Sequence, residues 1–285
     1  VSWRPYRAAS FFRAYRLAPH RLLGRAVSRI ARVERPRALV AAAIRHWTRR
    51  GGIDLRDFEP GPFSTVERFF LRRLRPGARP FCTGFAAPVD GRLVGHGPIA
   101  GDTLLLVKGH PLSVHRLVNG ALHDLDTTAL HGGVWTTIFL TPDGYHHVHM
   151  PAAATLVDVR WLPGRAFPQN EDALRHIPRI YERNERAVVR LRLDSGPELL
   201  LILVGASLIG GIHLEGVAAS RWQKRQPEIL SEHRAAASVL GHFTFGSTIV
   251  LLAPPGVVSE AYGQPGDAVT LGRPLWRLAS PASPE

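Results

Sequence analysis

His242-Phe243-Thr244-Phe245-Gly246-Ser247-Thr248-Ile249-Val250-Leu251-Leu252 reads as one long strand with an interruption in it. Aromatic and β-branched residues on both sides suit a pleated, buried surface, and the Gly-Ser pair breaks their run. A glycine inside a strand marks a bulge, a bend or a close backbone approach. Gly246 has no Cβ to shield its carbonyl and tolerates backbone angles closed to other residues. Ser247 follows it, so its hydroxyl is placed to attack the carbonyl of its own preceding peptide bond, the entry step of self-cleavage. On these four residues alone a β-bulge with a buried hydroxyl is the plainer reading.

Two other segments change the weighing. Pro88-Val89-Asp90-Gly91 carries an acid, and Tyr145-His146-His147-Val148-His149-Met150-Pro151 carries three imidazoles. A serine hydroxyl needs a base, and a neutral imidazole serves near physiological pH. An imidazole needs a partner to fix its tautomer, which a carboxylate provides. Asp90, His149 and Ser247 supply the three types, and such triads are defined by spatial roles rather than chain order. Each piece has a plainer alternative. Asp90-Gly91 is a common turn dipeptide, and the histidines also suit a polar surface. A metal site is disfavoured because no acidic or cysteine ligand accompanies them at a regular spacing.

From these motifs the chain resembles the phosphatidylserine decarboxylases, pyruvoyl-dependent enzymes that make phosphatidylethanolamine. The likeness runs from about Gly52 to Leu278 and includes Phe69 to Pro80, Pro88-Val89-Asp90-Gly91, Val107-Lys108-Gly109-His110, the histidine motif, Arg183-Asn184-Glu185-Arg186, Val204-Gly205-Ala206 and Phe245-Gly246-Ser247-Thr248. The resemblance implies cleavage between Gly246 and Ser247 into chains 1–246 and 247–285 that stay associated. It implies that Ser247 becomes a covalent pyruvoyl group, with His149 as base and Asp90 as its orienting partner during maturation. His146 then assists decarboxylation or reprotonation. The substrate amine forms a Schiff base with the pyruvoyl carbonyl, and the electrons released with CO2 pass into that conjugated system. Two departures stand out. Ala235 to Phe243 lacks the lysine and glutamate usual before the cleavage site, and Gln169 stands where a small apolar residue is commoner.

Composition sets the remaining bounds. The 285 residues are 45% apolar, enough for a sizeable core. The single cysteine, Cys82, excludes an internal disulfide framework and fits a reducing compartment. Net charge is +13, yet residues 1–50 hold 13 Arg against one Glu, leaving +12 there and +1 for the other 235 residues. This arm also carries Trp3, Tyr6, Phe11, Phe12, Tyr15, Leu17, Leu22, Leu39, Ile44 and Trp47, with Leu23, Val27 and Ile30 at helical spacing among arginines. Pro19 and Pro36 divide it into helices. A basic amphipathic helix with aromatics fits an interfacial membrane element, where each arginine near anionic lipid contributes on the order of 1 kcal/mol. An ordinary surface helix packed on the body is the alternative, and the two are compatible. The longest apolar run, Leu199 to Ile212, has 14 residues, short of the roughly 18 a span needs. No secretory signal is read either.

The expected fold is α+β: N-terminal amphipathic helices (1–50) on a mostly antiparallel β-sandwich or barrel (51–285). Expected elements are a helix from Thr65 to Leu74 capped by Ser64, and short helices over Ser113 to Leu117 and Glu171 to Arg175. Strands are expected over Leu93 to Val94, Thr103 to Val107, Val134 to Leu140, Thr155 to Leu162, Ala187 to Leu193, Leu199 to Val204, Gly211 to Ala218, Phe243 to Leu252 and Ala268 to Leu271. The expected partner is phosphatidylserine in an anionic membrane, with the enzyme peripheral on the cytoplasmic side of the cell membrane. A homodimer is left open and nucleic acid is disfavoured. Competing functions are a pyruvoyl decarboxylase for another amino acid or aminophospholipid, and an unprocessed membrane-binding homologue. A biotinyl or lipoyl carrier is disfavoured because the only lysines, Lys108 and Lys224, lie outside the C-terminal turns.

Overall fold

The computed structural model describes residues 20–107, 110–120, 125–169, 171–206, 211–217, 227–244 and 246–279. The aromatic residues before position 19, Lys108-Gly109, Asn170, Lys224, Phe245 and the tail beyond 279 lie outside the described residues, as do the side chains of Leu22 and Leu23.

Two helices open the described chain, α1 (His20–Ala31) and α2 (Arg37–Gly51). The second begins directly after Pro36, as expected where proline cannot supply an interior N–H. Gly52, at φ +60°, closes α2 in the left-handed conformation. Trp47 of α2 meets the rings of Phe69 and Phe70 at 5.8 and 5.9 Å, and Arg32 pairs with Glu67 at 2.9 Å. The arm therefore packs on the body at α3 (Val66–Phe70). That helix is shorter than the sequence suggests, and its cap is Thr65, not Ser64: the Thr65 hydroxyl accepts the Arg68 N–H at 3.0 Å. It stops early because the Arg72 side chain, buried, donates to the carbonyls of Phe69, Asp143 and Gly144, and Leu74 bridges to Phe58.

Among the described residues sixteen strands follow: β1 (Phe85–Ala86), β2 (Gly91–Ala100), β3 (Thr103–Val107), β4 (His110–Ser113), β5 (Val134–Leu140), β6 (His147–His149), β7 (Ala154–Leu162), β8 (Arg186–Leu193), β9 (Glu198–Gly205), β10 (Ile212–Leu214), β11 (Glu228–Arg234), β12 (Val239–Phe243), β13 (Ser247–Ala253), β14 (Val258–Ala261), β15 (Ala268–Val269) and β16 (Pro274–Leu278). Helices α4 (Val114–Asn119), α5 (Glu171–His176) and α6 (Ile180–Arg183) interleave with them. The large sheet runs β11-β7-β8-β9-β13-β5-β2-β3-β4, with β15 also on β2; two three-stranded sheets run β10-β12-β6 and β1-β16-β14. All named strand pairs are antiparallel, and the large sheet is open at β11 and β4. The architecture is thus a sandwich rather than a closed barrel.

The central strands of the large sheet are buried on both faces, which is why β9 and β13 read as nearly continuous apolar runs. Alternate residues project to opposite faces. Ile249 and Leu251 join one core with Val148, Leu240 and Phe243 of the β10-β12-β6 sheet and with Met150 just after β6. Val250 and Leu252 join a second core with Leu117, Val118, Ile180 and Tyr181 of the helices. Each fully buried Leu or Ile there contributes roughly 1.5–3 kcal/mol.

The most consequential departure concerns the opening segment. Phe243 to Leu252 is not one strand. β12 ends at Phe243 in a small sheet, and β13 begins at Ser247 in the large one. At the end of β12, Thr244 is held by its N–H and hydroxyl to the Gly211 carbonyl. Gly246 sits at φ +40°, a region costly to residues with a Cβ. The expected strand over Gly211 to Ala218 contracts to β10, while Leu93 to Val94 grows into the ten residues of β2.

Candidate active site

Ser247 is the first residue of β13, paired with Leu140 of β5 on one side and Gly205 of β9 on the other. It is fully buried, and among the described residues its Oγ has no hydrogen-bond partner. A buried hydroxyl without a partner is costly in a native fold and calls for an explanation. By alternation it shares the face of Ile249 and Leu251, toward the sheet that holds the histidine motif. A Cβ built on Gly246 would stand 3.4 Å from the Ala206 Cβ, so conformation more than space restricts this position to glycine.

The histidines divide by strand parity. Val148 and Met150 point into the core, while His147 and His149 line a cleft of about 660 Å³. His146, out of step with them, is fully buried against the Phe70 ring at 3.9 Å. Its Nδ1 lies 3.1 Å from the Gly144 carbonyl. A carbonyl only accepts, so Nδ1 carries the proton and Nε2 is a bare lone pair, buried and, among the described residues, without a partner. Burial pushes this imidazole down to about 3, and it is neutral at physiological pH. Arg72 secures its approach by holding the Asp143 and Gly144 carbonyls.

The two ring nitrogens of His149 are both bonded. Nδ1 donates to the Ala237 carbonyl at 2.7 Å, and Nε2 therefore accepts the Tyr145 hydroxyl at 2.9 Å. Burial lowers its proton affinity, while the Ala237 contact and the nearby charge of Asp90 oppose the shift. Asp90 is committed elsewhere: one oxygen accepts the Leu271 N–H at 2.7 Å, the other faces Arg79 at 3.3 Å. Arg79 also pairs with Asp57. The His149 N–H bonds the Pro88 carbonyl at 2.9 Å, which draws the aspartate segment alongside the histidine strand.

Asp90 thus lies near His149, whose ring lines the cleft. Among the described residues, however, no hydrogen bond joins Asp90, His149 and Ser247 to one another. Sequence reasoning did not find Tyr145, Arg79, Arg72 or Ala237. Ala237 belongs to the loop that departs from the related pattern, and it contributes a main-chain carbonyl, which any residue type provides. The cleft is otherwise lined by Arg73, Arg75, Arg79 and Arg234 against Glu59 and Glu215, a positive balance suited to an anionic ligand. Among the described residues, no group of three or more His, Cys, Asp or Glu side chains is arranged to hold a metal ion.

The group implied at position 247 is made from the chain itself, and the residues present fit it. The orphaned Ser247 hydroxyl directly follows a glycine in a left-handed conformation, at a sheet-to-sheet crossing where the backbone leaves its ladder.

Comparison with known proteins follows the same lines. Residues 66–277 match the family model of phosphatidylserine decarboxylase. A phosphatidylserine decarboxylase proenzyme of Xanthomonas euvesicatoria pv. vesicatoria (strain 85-10) is 34% identical over 258 residues, 84% of this chain and 88% of that protein. One from Xanthomonas oryzae pv. oryzae (strain MAFF 311018) is 35% identical over 280 residues, 91% of this chain and 95% of its own length. One from Shewanella frigidimarina (strain NCIMB 400) is 31% identical over 281 residues, covering 92% and 96%.

Proposed function

Because this chain belongs to the phosphatidylserine decarboxylase family, we propose that it is a self-processing proenzyme that converts phosphatidylserine to phosphatidylethanolamine and CO2 with a pyruvoyl group derived from Ser247. The observation that carries this reading is the buried, unpartnered Ser247 Oγ behind a left-handed glycine.

In maturation the Ser247 hydroxyl attacks the Gly246 carbonyl carbon while a base takes its proton. The bond from that carbon to the Ser247 nitrogen breaks as the nitrogen is protonated, leaving an ester. Loss of the Ser247 α-proton expels the Gly246 carboxylate. The resulting enamine takes up water and releases ammonia, which leaves a pyruvoyl group on Thr248. His149 is the proposed base, neutral through burial, with Asp90 close enough to favour its protonated form. For His149 to reach Ser247, its bond to Tyr145 has to open.

A pyruvoyl carbonyl supplies an electrophile for an amine and a sink for the electrons freed when CO2 leaves. His146, neutral with a bare Nε2 in the buried interior, is the proposed group that handles the proton in that step. The arginines of the cleft favour an anionic headgroup. We place the protein peripherally on the cytoplasmic side of the membrane; docking on an anionic surface is supported by the arm, where Ile30, Val33 and Leu39 are exposed beside Arg29, Arg35 and Arg37. No described helix is long and apolar enough to cross a bilayer.

Intact mass under denaturing conditions, beside Ser247→Ala, tests the reading. Two species split after Gly246, the smaller of 39 residues with a blocked amino end, together with phosphatidylethanolamine formed from phosphatidylserine vesicles, support it. A folded wild-type chain that stays whole overturns it.

A further inference from the structure

A buried polar chain passes beside the scissile bond on the face of β13 opposite Ser247. The fully buried Thr248 donates its hydroxyl to Gln169 Oε1 at 2.7 Å. Gln169, 4% exposed, donates through Nε2 to the Gly205 carbonyl at 2.9 Å. Asn184 Nδ2 reaches the same carbonyl at 2.8 Å, and Asn184 also accepts the Phe167 N–H and donates to the Phe167 carbonyl. Gly205 lies directly opposite Ser247 across the β9–β13 pair. Gln169 therefore ties the residue after the scissile bond to the residue facing Ser247. Tyr181, buried on the same side, approaches Thr248 without completing a hydrogen bond.

A buried amide is tolerated when both its ends are paired, and here one end holds each strand. Before cleavage the backbone on both sides of residue 247 keeps it in place, so the link is redundant. Cleavage after Gly246 makes residue 247 a chain end, and chain ends fray unless tied down. The ladder holds the strand from one side of the break only. Beside the backbone pairing of residue 247 to Leu140 and Gly205, the side chain of Thr248 is then the anchor adjoining the new terminus.

We infer that Gln169 is a positioning residue that clamps the new chain end after cleavage, holding residue 247 in register through Thr248 and Gly205. The inference rests on the self-processing reading above. It assigns Gln169 to the second reaction rather than the first: maturation proceeds without the clamp, while decarboxylation needs the terminus held still.

The test compares Gln169→Met, Thr248→Val, Thr248→Ser and the Gln169→Met/Thr248→Val double variant with the wild-type full chain. Cleaved fraction is read by intact mass, and kcat and KM on phosphatidylserine vesicles. Gln169→Met and Thr248→Val are each expected to cleave fully yet lose about tenfold in kcat with KM little changed. The double variant should be no worse than either single, because the two residues form one contact, and Thr248→Ser should restore activity. Singles that decarboxylate like wild type, or losses that multiply in the double variant, overturn the inference. Should Gln169→Met fail to fold, the Thr248 pair decides alone: a folded, cleaved Thr248→Val with wild-type kcat overturns it. An uncut wild-type chain overturns the processing reading and this inference with it, whereas a cut wild type with unaffected variants overturns only the clamp.

Discussion

Tyr145 donates its hydroxyl to Nε2 of His149 across 2.9 Å, occupying the one nitrogen of that imidazole free to accept a proton. Burial raises the proton affinity of Tyr145, so it is a neutral donor throughout the physiological range. Together with Ala237 it fixes the His149 tautomer, and it also competes with Ser247 for the base. Tyr145→Phe is expected to remain folded, losing about 1 kcal/mol for a single neutral hydrogen bond, and to cleave at least as fast as wild type. His149→Ala is expected to leave the chain whole. Thermal melts and time-resolved intact mass check both. Slow cleavage in Tyr145→Phe with an unchanged melt would mean that the tyrosine orients the base rather than masking it.

Much of the fold was legible because its central strands are buried on both faces. Val134 to Leu140 appears with the expected bounds, since nothing but apolar, aromatic and β-branched residues fills it; Thr103 to Val107, next to the edge strand, appears with the expected bounds from the same composition. β11 (Glu228–Arg234) was not legible. It is an edge strand whose Glu228, Glu232, His233 and Arg234 are not buried, so no alternation of polarity marks it. The break between β12 and β13 was only half legible. Gly246-Ser247 signalled an irregularity, but which sheet each half joins depends on pairing with His147 and Leu140, a long-range choice that local sequence does not record. The site divides the same way. Asp90, the histidines and Ser247 are marked by residue type, whereas the carbonyls of Ala237 and Gly144 act through backbone and leave no signature.

Gly246→Ala probes the crossing. A Cβ at φ +40° costs about 1–2 kcal/mol, and the nearest atom it would meet, the Ala206 Cβ at 3.4 Å, is at ordinary contact distance. The protein is therefore expected to fold with a lower melting temperature and to mature roughly tenfold more slowly, since a methyl group now crowds the carbonyl under attack. A variant that melts lower yet cleaves at the wild-type rate would separate backbone strain from chemistry at this bond.

Acid should destabilise the fold through its buried imidazoles. His146 is depressed to about 3 and half-buried His242 to about 4, chiefly by burial, against about 6.5 in the unfolded chain. The unfolded state thus binds more protons between those values. Stability is full above about pH 7 and falls as pH drops below 6.5. For His146 the loss is about 1.4 kcal/mol per pH unit while it stays neutral in the fold. His242 adds less, being partly solvated; its ring stacks on His213 at 4.8 Å and nears His147 at 5.3 Å, with Arg73 repelling its charged form. Melting temperatures of Ser247→Ala from pH 7.5 to 5, which avoid cleavage during the scan, should fall steadily. A flat profile would place the histidines in contact with solvent. His242→Gln should flatten the slope in part.

The arm offers a contrast in which hydrophobic and electrostatic contributions separate. Ile30 and Leu39 are 70% and 66% exposed although their helices pack on the body through Trp47 and Arg32. Packing thus accounts for the inner face and leaves an outer face of apolar side chains beside arginines. Burying one such side chain in an interface is worth roughly 1.5–3 kcal/mol, so Ile30→Ser or Leu39→Ser should weaken binding to vesicles by about tenfold or more without altering the melt. Arg29→Glu with Arg37→Glu should act only on anionic vesicles, and its effect should shrink as salt rises, because exposed charges are screened over about 10 Å at 0.1 M. Co-sedimentation with vesicles of neutral and anionic composition at two salt concentrations reads both. If neither pair changes binding, the outer face of the arm is an ordinary surface, and the substrate must be reached by another route.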